Sequence, residues 1–330
     1  MSILVTGGAG YIGSHMVWHL VDAGEKVVVL DNLSTGFGWA VAPEARLING
    51  DSGDEALVAR LIKEHEVEAI IHFAASIVVP ESVANPLGYY LNNTVKTRAL
   101  IAAAVGGGVK RFIFSSTAAV YGTPAVAPVS EAAMLSPESP YGRSKMMSEM
   151  MLADAAAAHD LHYVALRYFN VAGADPAGRT GQSTRAATHL IKVACEAALG
   201  KREAITVYGT DYPTVDGTCV RDYIHVTDLV AAHGAALAHL RSGRESLVAN
   251  CGYGRGYSVL EVIDTVKAVS GRDFPVVLGP RRPGDPATIV ASPARIMEKF
   301  GWAPHHDNLA EIVRHALAWE TALERRNQRD

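Results

Sequence analysis

Ile3-Leu4-Val5-Thr6-Gly7-Gly8-Ala9-Gly10-Tyr11-Ile12-Gly13 joins a short apolar run to three glycines spaced by three, and a helical pattern follows over 12–23. Gly7, Gly10 and Gly13 let a backbone turn tightly and approach a pyrophosphate. The helix that starts there offers free amides and the positive end of its dipole. Three glycines alone are a weak signal. With a strand before them and a helix after them they predict a dinucleotide site. Asp31 ends the next apolar run, about twenty residues on, where a carboxylate can accept from ribose hydroxyls. No arginine follows it, and its charge would repel a 2′-phosphate, so NAD is expected over NADP. Asp51 ends a third run; it reads equally as an adenine-side residue or as a partner of a helix start at Gly53-Asp54.

Outward from the loop, strands are expected at 3–5, 26–30, 46–48, 69–73, 111–114 and 163–166, with helices around 12–23, 54–65, 93–107 and 141–158. The strands are almost continuously apolar, as in a parallel sheet covered on both faces. Such alternation predicts right-handed βαβ units in an α/β, doubly wound (Rossmann) parallel sheet. Past residue 172 the pattern changes to loops (174–181 and 280–285), a helix near 184–200, a strand at 205–208 and terminal amphipathic helices. The expected division is an NAD-binding domain over 1–172 and a smaller mixed α/β substrate-binding domain over 173–330. The 219–242 stretch is expected to pack back onto the first.

The 330 residues carry 30 basic and 34 acidic side chains, a net charge of −4, with no basic stripe for nucleic acid. No apolar run approaches a membrane span. A strand starting at Ile3 leaves no room for a leader, and three scattered cysteines suit a reducing cytoplasm better than a disulfide scaffold. The histidines, His305-His306 included, lack the spacing to acidic or cysteine partners that a metal site needs, so no metal is expected.

The chemistry centres on Tyr141 and Lys145, one helical turn apart in Ser139-Pro140-Tyr141-Gly142-Arg143-Ser144-Lys145, and on Ser115-Ser116-Thr117 at the end of an apolar strand. At i+4 the ammonium shares a helix face with the phenol. Its charge favours the phenolate and is expected to lower a pKa that otherwise sits near 10. A tyrosine at a helix start is usually packing and a lysine one turn on usually solvated. The hydroxyl strand end and the glycine loop shift the balance toward hydride chemistry at a carbon bearing a hydroxyl.

These residues resemble those of the extended short-chain dehydrogenases/reductases and, within them, of the UDP-glucose 4-epimerases. The likeness runs through Thr6–His15, Leu30–Leu33, His72-Phe73-Ala74, Phe114–Gly122 and Tyr141–Lys145, then Arg167–Asn170, Gly217–Val226 and Pro280–Asp285. The last three point to a nucleotide sugar. The resemblance implies reversible epimerisation at C4 of a UDP-hexose, through transient hydride transfer to tightly bound NAD and a 4-keto sugar. Tyr141 would take the 4-hydroxyl proton, Lys145 would hold the phenolate and the nicotinamide ribose, and Thr117, in place of the usual serine, would bridge the 4-oxygen and the phenol. Implied cofactor contacts are Gly7, Gly10, Tyr11, Ile12, Gly13, Asp31, Asn32, Asp51, Ser52, Phe73, Ala74, Asn93, Ser115, Tyr141, Lys145 and Phe169. Substrate contacts carry over to Thr117, Tyr141, Asn170, Leu190, Tyr208 (near uracil), Arg221 and Arg282 (on the diphosphate), Asp285 (on the uridine ribose) and Ile289. Relatives are commonly homodimers through a four-helix contact, which the 93–107 and 141–158 helices would allow.

Departures from the pattern are Thr117, Ile77 in place of a lysine, and His189 in place of an asparagine. Ile289 stands where some relatives carry a bulky tyrosine, which leaves room for an N-acetyl group. Ala118 and Ala119 replace the acidic pair with which related 4,6-dehydratases eliminate water, so dehydration is not expected. The alternatives are a 4-epimerase of another UDP-sugar (xylose/arabinose or glucuronate), a net NAD-dependent dehydrogenase or reductase, and a non-catalytic NAD sensor. The intact Tyr141–Lys145 pair argues against the last.

Overall fold

The computed structural model describes residues 1–327 apart from Ala186 and Pro283, with side chains up to residue 323. Pro283 of the 280–285 motif and residues 328–330 of the second region therefore lie outside the described residues. The first part of the chain runs β1 (Ser2–Thr6), α1 (Tyr11–Asp22), β2 (Val27–Asp31), β3 (Arg46–Asn49), α2 (Glu55–Glu64) and β4 (Val67–His72). Next come α3 (Val79–Ala84), α4 (Pro86–Tyr89), α5 (Lys96–Gly106), β5 (Arg111–Thr117), α6 (Pro140–Ala158) and β6 (His162–Tyr168). Residues 90–95, between α4 and α5, are wound as a π-helix.

Seven strands form one parallel sheet. Its order is β10-β6-β5-β4-β1-β2-β3, where β10 is Leu247–Cys251 from the second half of the chain. The runs of Val, Ile and Leu make both faces apolar. Met16, Val17 and Leu20 of α1 and Leu229, Val230 and Leu237 cover one face. Val58 and Leu61 of α2, Leu100 and Ala104 of α5 and Leu152 of α6 cover the other. The strand order reverses between β1 and β4, the crevice in which this architecture binds ligands beyond the strand ends.

The remainder runs β7 (Asn170–Ala172), α7 (Leu190–Ala198), β8 (Ile205–Tyr208), β9 (Val220–His225), α8 (Val226–Arg241), β10, β11 (Gly256–Ser258) and α9 (Val259–Ser270). It ends with β12 (Val276–Gly279), β13 (Thr288–Ile289), α10 (Ala294–Phe300) and α11 (Leu309–Asn327). Here β9 pairs with β7, β11 and β13, while β8 and β12 form a separate parallel pair. Ile191, Ala194, Val262, Val266, Ile312 and Val313 from α7, α9 and α11 make the core of this part. Helix α8 packs its apolar face into the core that α1 shares with the sheet. Two sequence expectations are revised. The seventh strand β10 was not anticipated, and the helix expected near 184–200 begins only at Leu190.

Candidate active site

The glycine loop is sterically closed to side chains. Gly7 has φ +72°, and a Cβ there would stand 2.6 Å from the Ala74 amide nitrogen; at Gly13 it would stand 2.1 Å from the Gly7 carbonyl oxygen. Gly10 caps α1 with no capping side chain, so the first amides of the helix stay free for an anion. Asp31 is buried at the end of β2 and accepts from the amides of Ala9 (2.9 Å) and Leu33 (2.8 Å). Its carboxylate therefore shapes the loop and keeps spare lone pairs for hydroxyl donors. Asn32 is exposed next to it and Ser52 is buried. Asp51 accepts from the Gly53 amide and pairs with Lys96 at 2.5 Å. The cap of α2 falls to Asp54, which accepts from Leu57. These residues fit a dinucleotide: free helix amides, a loop only glycine can make, and a carboxylate where ribose hydroxyls would come.

Thr117, Tyr141 and Lys145 converge at the C-terminal end of β5. Ser139 caps α6 by accepting from the Gly142 amide, and Pro140 starts the helix, which aims Tyr141 and Lys145 at the strand. Thr117 accepts from the Ala119 amide at 3.1 Å, so its proton is free to turn to the neighbouring Tyr141 oxygen, where it favours the phenolate. Lys145 donates to the Ser115 carbonyl at 2.9 Å, and the Ser115 hydroxyl bonds Tyr168. Asn93 is fully engaged: it accepts from the Ser76 amide and donates to the Ser76 carbonyl and Ser144. It thus ties the loop after β4 to α6. Phe73 lies against His233, and Ile77 is exposed in that loop.

The expected lowering of the Tyr141 pKa by Lys145 is overturned. Burial raises the phenol above its ordinary value, and the Thr117 bond opposes that rise. The ammonium is spent on a strand carbonyl, and its own burial takes its pKa down to about 7 against the pull of Glu149. Burial thus works against the charged form of the very group expected to favour the phenolate. In the protein alone, Thr117 is the group that favours the phenolate.

Beneath the site lies a buried network absent from the sequence reading. Arg167 of β6 grips Glu149 of α6 through two nitrogens (2.9 and 2.5 Å), Ser116 donates to the same carboxylate, and Arg167 also donates to Tyr121, which donates to Asn250. Its signal was available: Glu149 is one turn beyond Lys145.

The second part of the chain supplies the remaining candidates. Arg221 of β9 lies 3.7 Å from Asp285. Arg282 lies 3.8 Å above the exposed ring of Tyr208. Asn170 and Leu190 line a cleft of about 470 Å³ together with Tyr11, His189 and Tyr223. His189 takes the N-cap position of α7, and burial lowers its pKa. Ile289 bridges the two groups: its strand pairs in register with Arg221, and its side chain packs with Ala118 and Tyr121, next to which Phe169 lies.

One histidine reading needs correction. The fold brings His306 Nδ1 within 2.7 Å of Glu311 and sets His315 beside both, at distances a metal could span. Their protons argue for a hydrogen-bonded set instead. His225 accepts the Thr227 amide at Nδ1, so its Nε2 carries the proton and donates to His315 Nδ1 at 3.0 Å. That leaves the other His315 nitrogen protonated and without a lone pair for a cation.

A glycine-loop crevice with the Thr117, Tyr141 and Lys145 cluster at the end of β5 suits an enzyme that uses NAD. Residues 3–252 match the NAD dependent epimerase/dehydratase family, and the chain belongs to that family. It is 56% identical over 322 residues to the UDP-glucose 4-epimerase of Azospirillum brasilense, covering 98% of this chain and 92% of that one. The structure of UDP-glucose 4-epimerase from Brucella ovis in complex with NAD superposes with a TM-score of 0.93 at 44% identity, over 96% and 97% of the chains. The UDP-Glc/GlcNAc 4-epimerase of Campylobacter jejuni gives a TM-score of 0.85 at 48% identity, over 97% and 99%.

Proposed function

We propose that this protein is an NAD-dependent enzyme that reversibly inverts C4 of a UDP-hexose and so interconverts UDP-glucose and UDP-galactose. Its likeness to UDP-glucose 4-epimerases covers nearly the whole chain. The observation that carries the chemical reading is the meeting of Thr117, Tyr141 and Lys145 at the C-terminal end of β5, in the same parallel sheet whose strand β1 leads into the glycine loop. Tyr141 takes the 4-hydroxyl proton and later returns it, and Thr117 donates to the phenolate and steadies the sugar oxygen. Lys145 holds the Ser115 carbonyl and lies where a ribose hydroxyl can reach it. Bound NAD supplies the hydride acceptor and, in its oxidised form, a positive charge that favours an ionised phenol. Gly7, Gly10, Gly13 and Asp31 hold the dinucleotide; Arg221, Arg282, Asp285 and Tyr208 take the UDP moiety.

Ile289 supports a wider sugar range. It is a mid-sized side chain between the Arg221 strand and the Thr117 strand end, and one relative is named for both Glc and GlcNAc sugars. UDP-N-acetylglucosamine is thus a second substrate. Product identification after incubation with UDP-galactose, UDP-N-acetylglucosamine and UDP-xylose tests both statements: the first two are expected to turn over. In the same assay Tyr141→Phe is expected to lose about 10²–10⁴-fold in rate. Turnover of the pentose alone would overturn the hexose assignment.

We further infer the division of labour between residues 1–172 and 173–330, with 219–242 serving the first part. A cytoplasmic, homodimeric protein completes the reading. Cys195, Cys219 and Cys251 are free and buried, as suits a reducing compartment, and no described helix is long and apolar enough to cross a membrane. Leu87, Leu91 and Val95 are exposed at helical spacing along 86–106, near exposed Met147 and Met150 of α6. Such a stripe suits a second copy of the chain.

A further inference from the structure

We propose that Arg281 is a positioning residue of the nucleotide site: seated on Gly209 and Tyr212 and paired with Asp211, it holds the 280–285 loop so that Arg282 and Asp285 reach the nucleotide. The proposal rests on the UDP-sugar reading. Neighbouring strands start the two loops concerned. Tyr208 and Gly279 are in register at the ends of β8 and β12, and the Gly209 amide donates to the Gly279 carbonyl at 2.9 Å. From there the chains diverge, and Arg281 spans the gap.

The seat is built for that side chain. Arg281 Nε donates to Asp211 Oδ1 at 2.6 Å, and a second guanidinium nitrogen donates to the Asp211 carbonyl. The guanidinium lies 4.1 Å from the ring centre of buried Tyr212. Gly209 has φ +83°, and a Cβ on it would stand 2.6 Å from the Tyr212 ring and 2.7 Å from Arg281 Cγ. Only a glycine there lets arginine and tyrosine close over the turn. The base is itself fixed: Tyr212 donates to the Gly217 carbonyl, and Asp216 accepts from Thr218 and Ser258.

The residue after Arg281 carries the consequence. Arg282 covers one face of Tyr208, and a base stacked on that face and this guanidinium exclude each other. A base that stacks on that face displaces Arg282, whose guanidinium is then released toward the diphosphate. Arg281 keeps that exchange within one side-chain swing, because it fixes the loop backbone while its neighbour moves.

The test compares UDP binding by calorimetry, KM for UDP-galactose and kcat in the NAD-loaded protein. In Arg281→Gln, the UDP dissociation constant and KM are expected to rise about tenfold with kcat within about twofold. Arg281→Lys should recover only part of the loss, because an ammonium cannot make the forked contact or stack flat. Gly209→Ala should match Arg281→Gln by filling the seat. Asp211→Asn, an exposed change that spares the fold, should raise KM about threefold. Unchanged UDP affinity in Arg281→Gln and Asp211→Asn, with wild type binding UDP well, would overturn the role of Arg281 alone; equal losses in kcat and affinity would overturn it too. Wild type that binds no UDP would instead overturn the nucleotide reading on which it rests.

Discussion

Tyr141 answers to two opposing influences, burial that disfavours its ionised form and a Thr117 hydroxyl that favours it. The sequence spacing pointed to Lys145 as the favouring group, and the structure moves that part to Thr117. Lys145 is nearly fully buried, and its pKa falls from 10.5 to about 7. The sign of its effect on stability follows. Below pH 7 both folded and unfolded chains carry the proton, and the folded one bears the full cost of a buried charge. Between about 7 and 10.5 the unfolded chain still binds a proton that the folded chain has released, so stability rises with pH. Lys145→Met removes that cost. Urea midpoints of protein refolded without nucleotide should show the variant more stable by roughly 3–6 kcal/mol at pH 6. The gap should narrow steadily toward pH 10.5. A gap constant across that range would show that the ammonium is not desolvated.

Elements differed in how plainly the sequence announced them. Strands β1, β2, β4, β5 and β6 were legible because each has a short apolar stretch buried on both faces, β3 from its Leu47-Ile48 pair at the sheet edge, and α1 because glycines and a strand precede it. Strand β10 was not, since Leu247–Cys251 is five residues long and lies some eighty residues beyond its neighbour β6. Thr117, Tyr141 and Lys145 were legible from local spacing. Glu149–Arg167 and Arg281–Asp211 pair residues 18 and 70 positions apart, a contact that only the fold creates. The first of these pairs locks α6 to β6. Arg167→Met would leave Glu149 buried and unpaired, which should cost about 3–5 kcal/mol. Glu149→Met combined with Arg167→Met should recover most of that loss, as measured by urea unfolding. A single variant as stable as wild type would mean that the pair does not hold α6 in place.

At the scale of the whole molecule, a parallel sheet reverses its strand order between β1 and β4, where this architecture binds a dinucleotide, and the second part of the chain sets Ile289, in register with Arg221, against Ala118 and Tyr121 just past the end of β5. The exposed stripe of Leu87, Leu91 and Val95 lies on the opposite consideration, assembly. Leu91→Glu should shift the protein from dimer to monomer in sedimentation; an unchanged mass would place the interface elsewhere. Catalysis without outside reductant is the property of the intact molecule that matters most. Purified protein given UDP-galactose and no added cofactor should make UDP-glucose for many turnovers per bound NAD, without accumulating free NADH. Turnover that demands added NAD, or that releases NADH in step with product, would contradict the proposed closed hydride cycle.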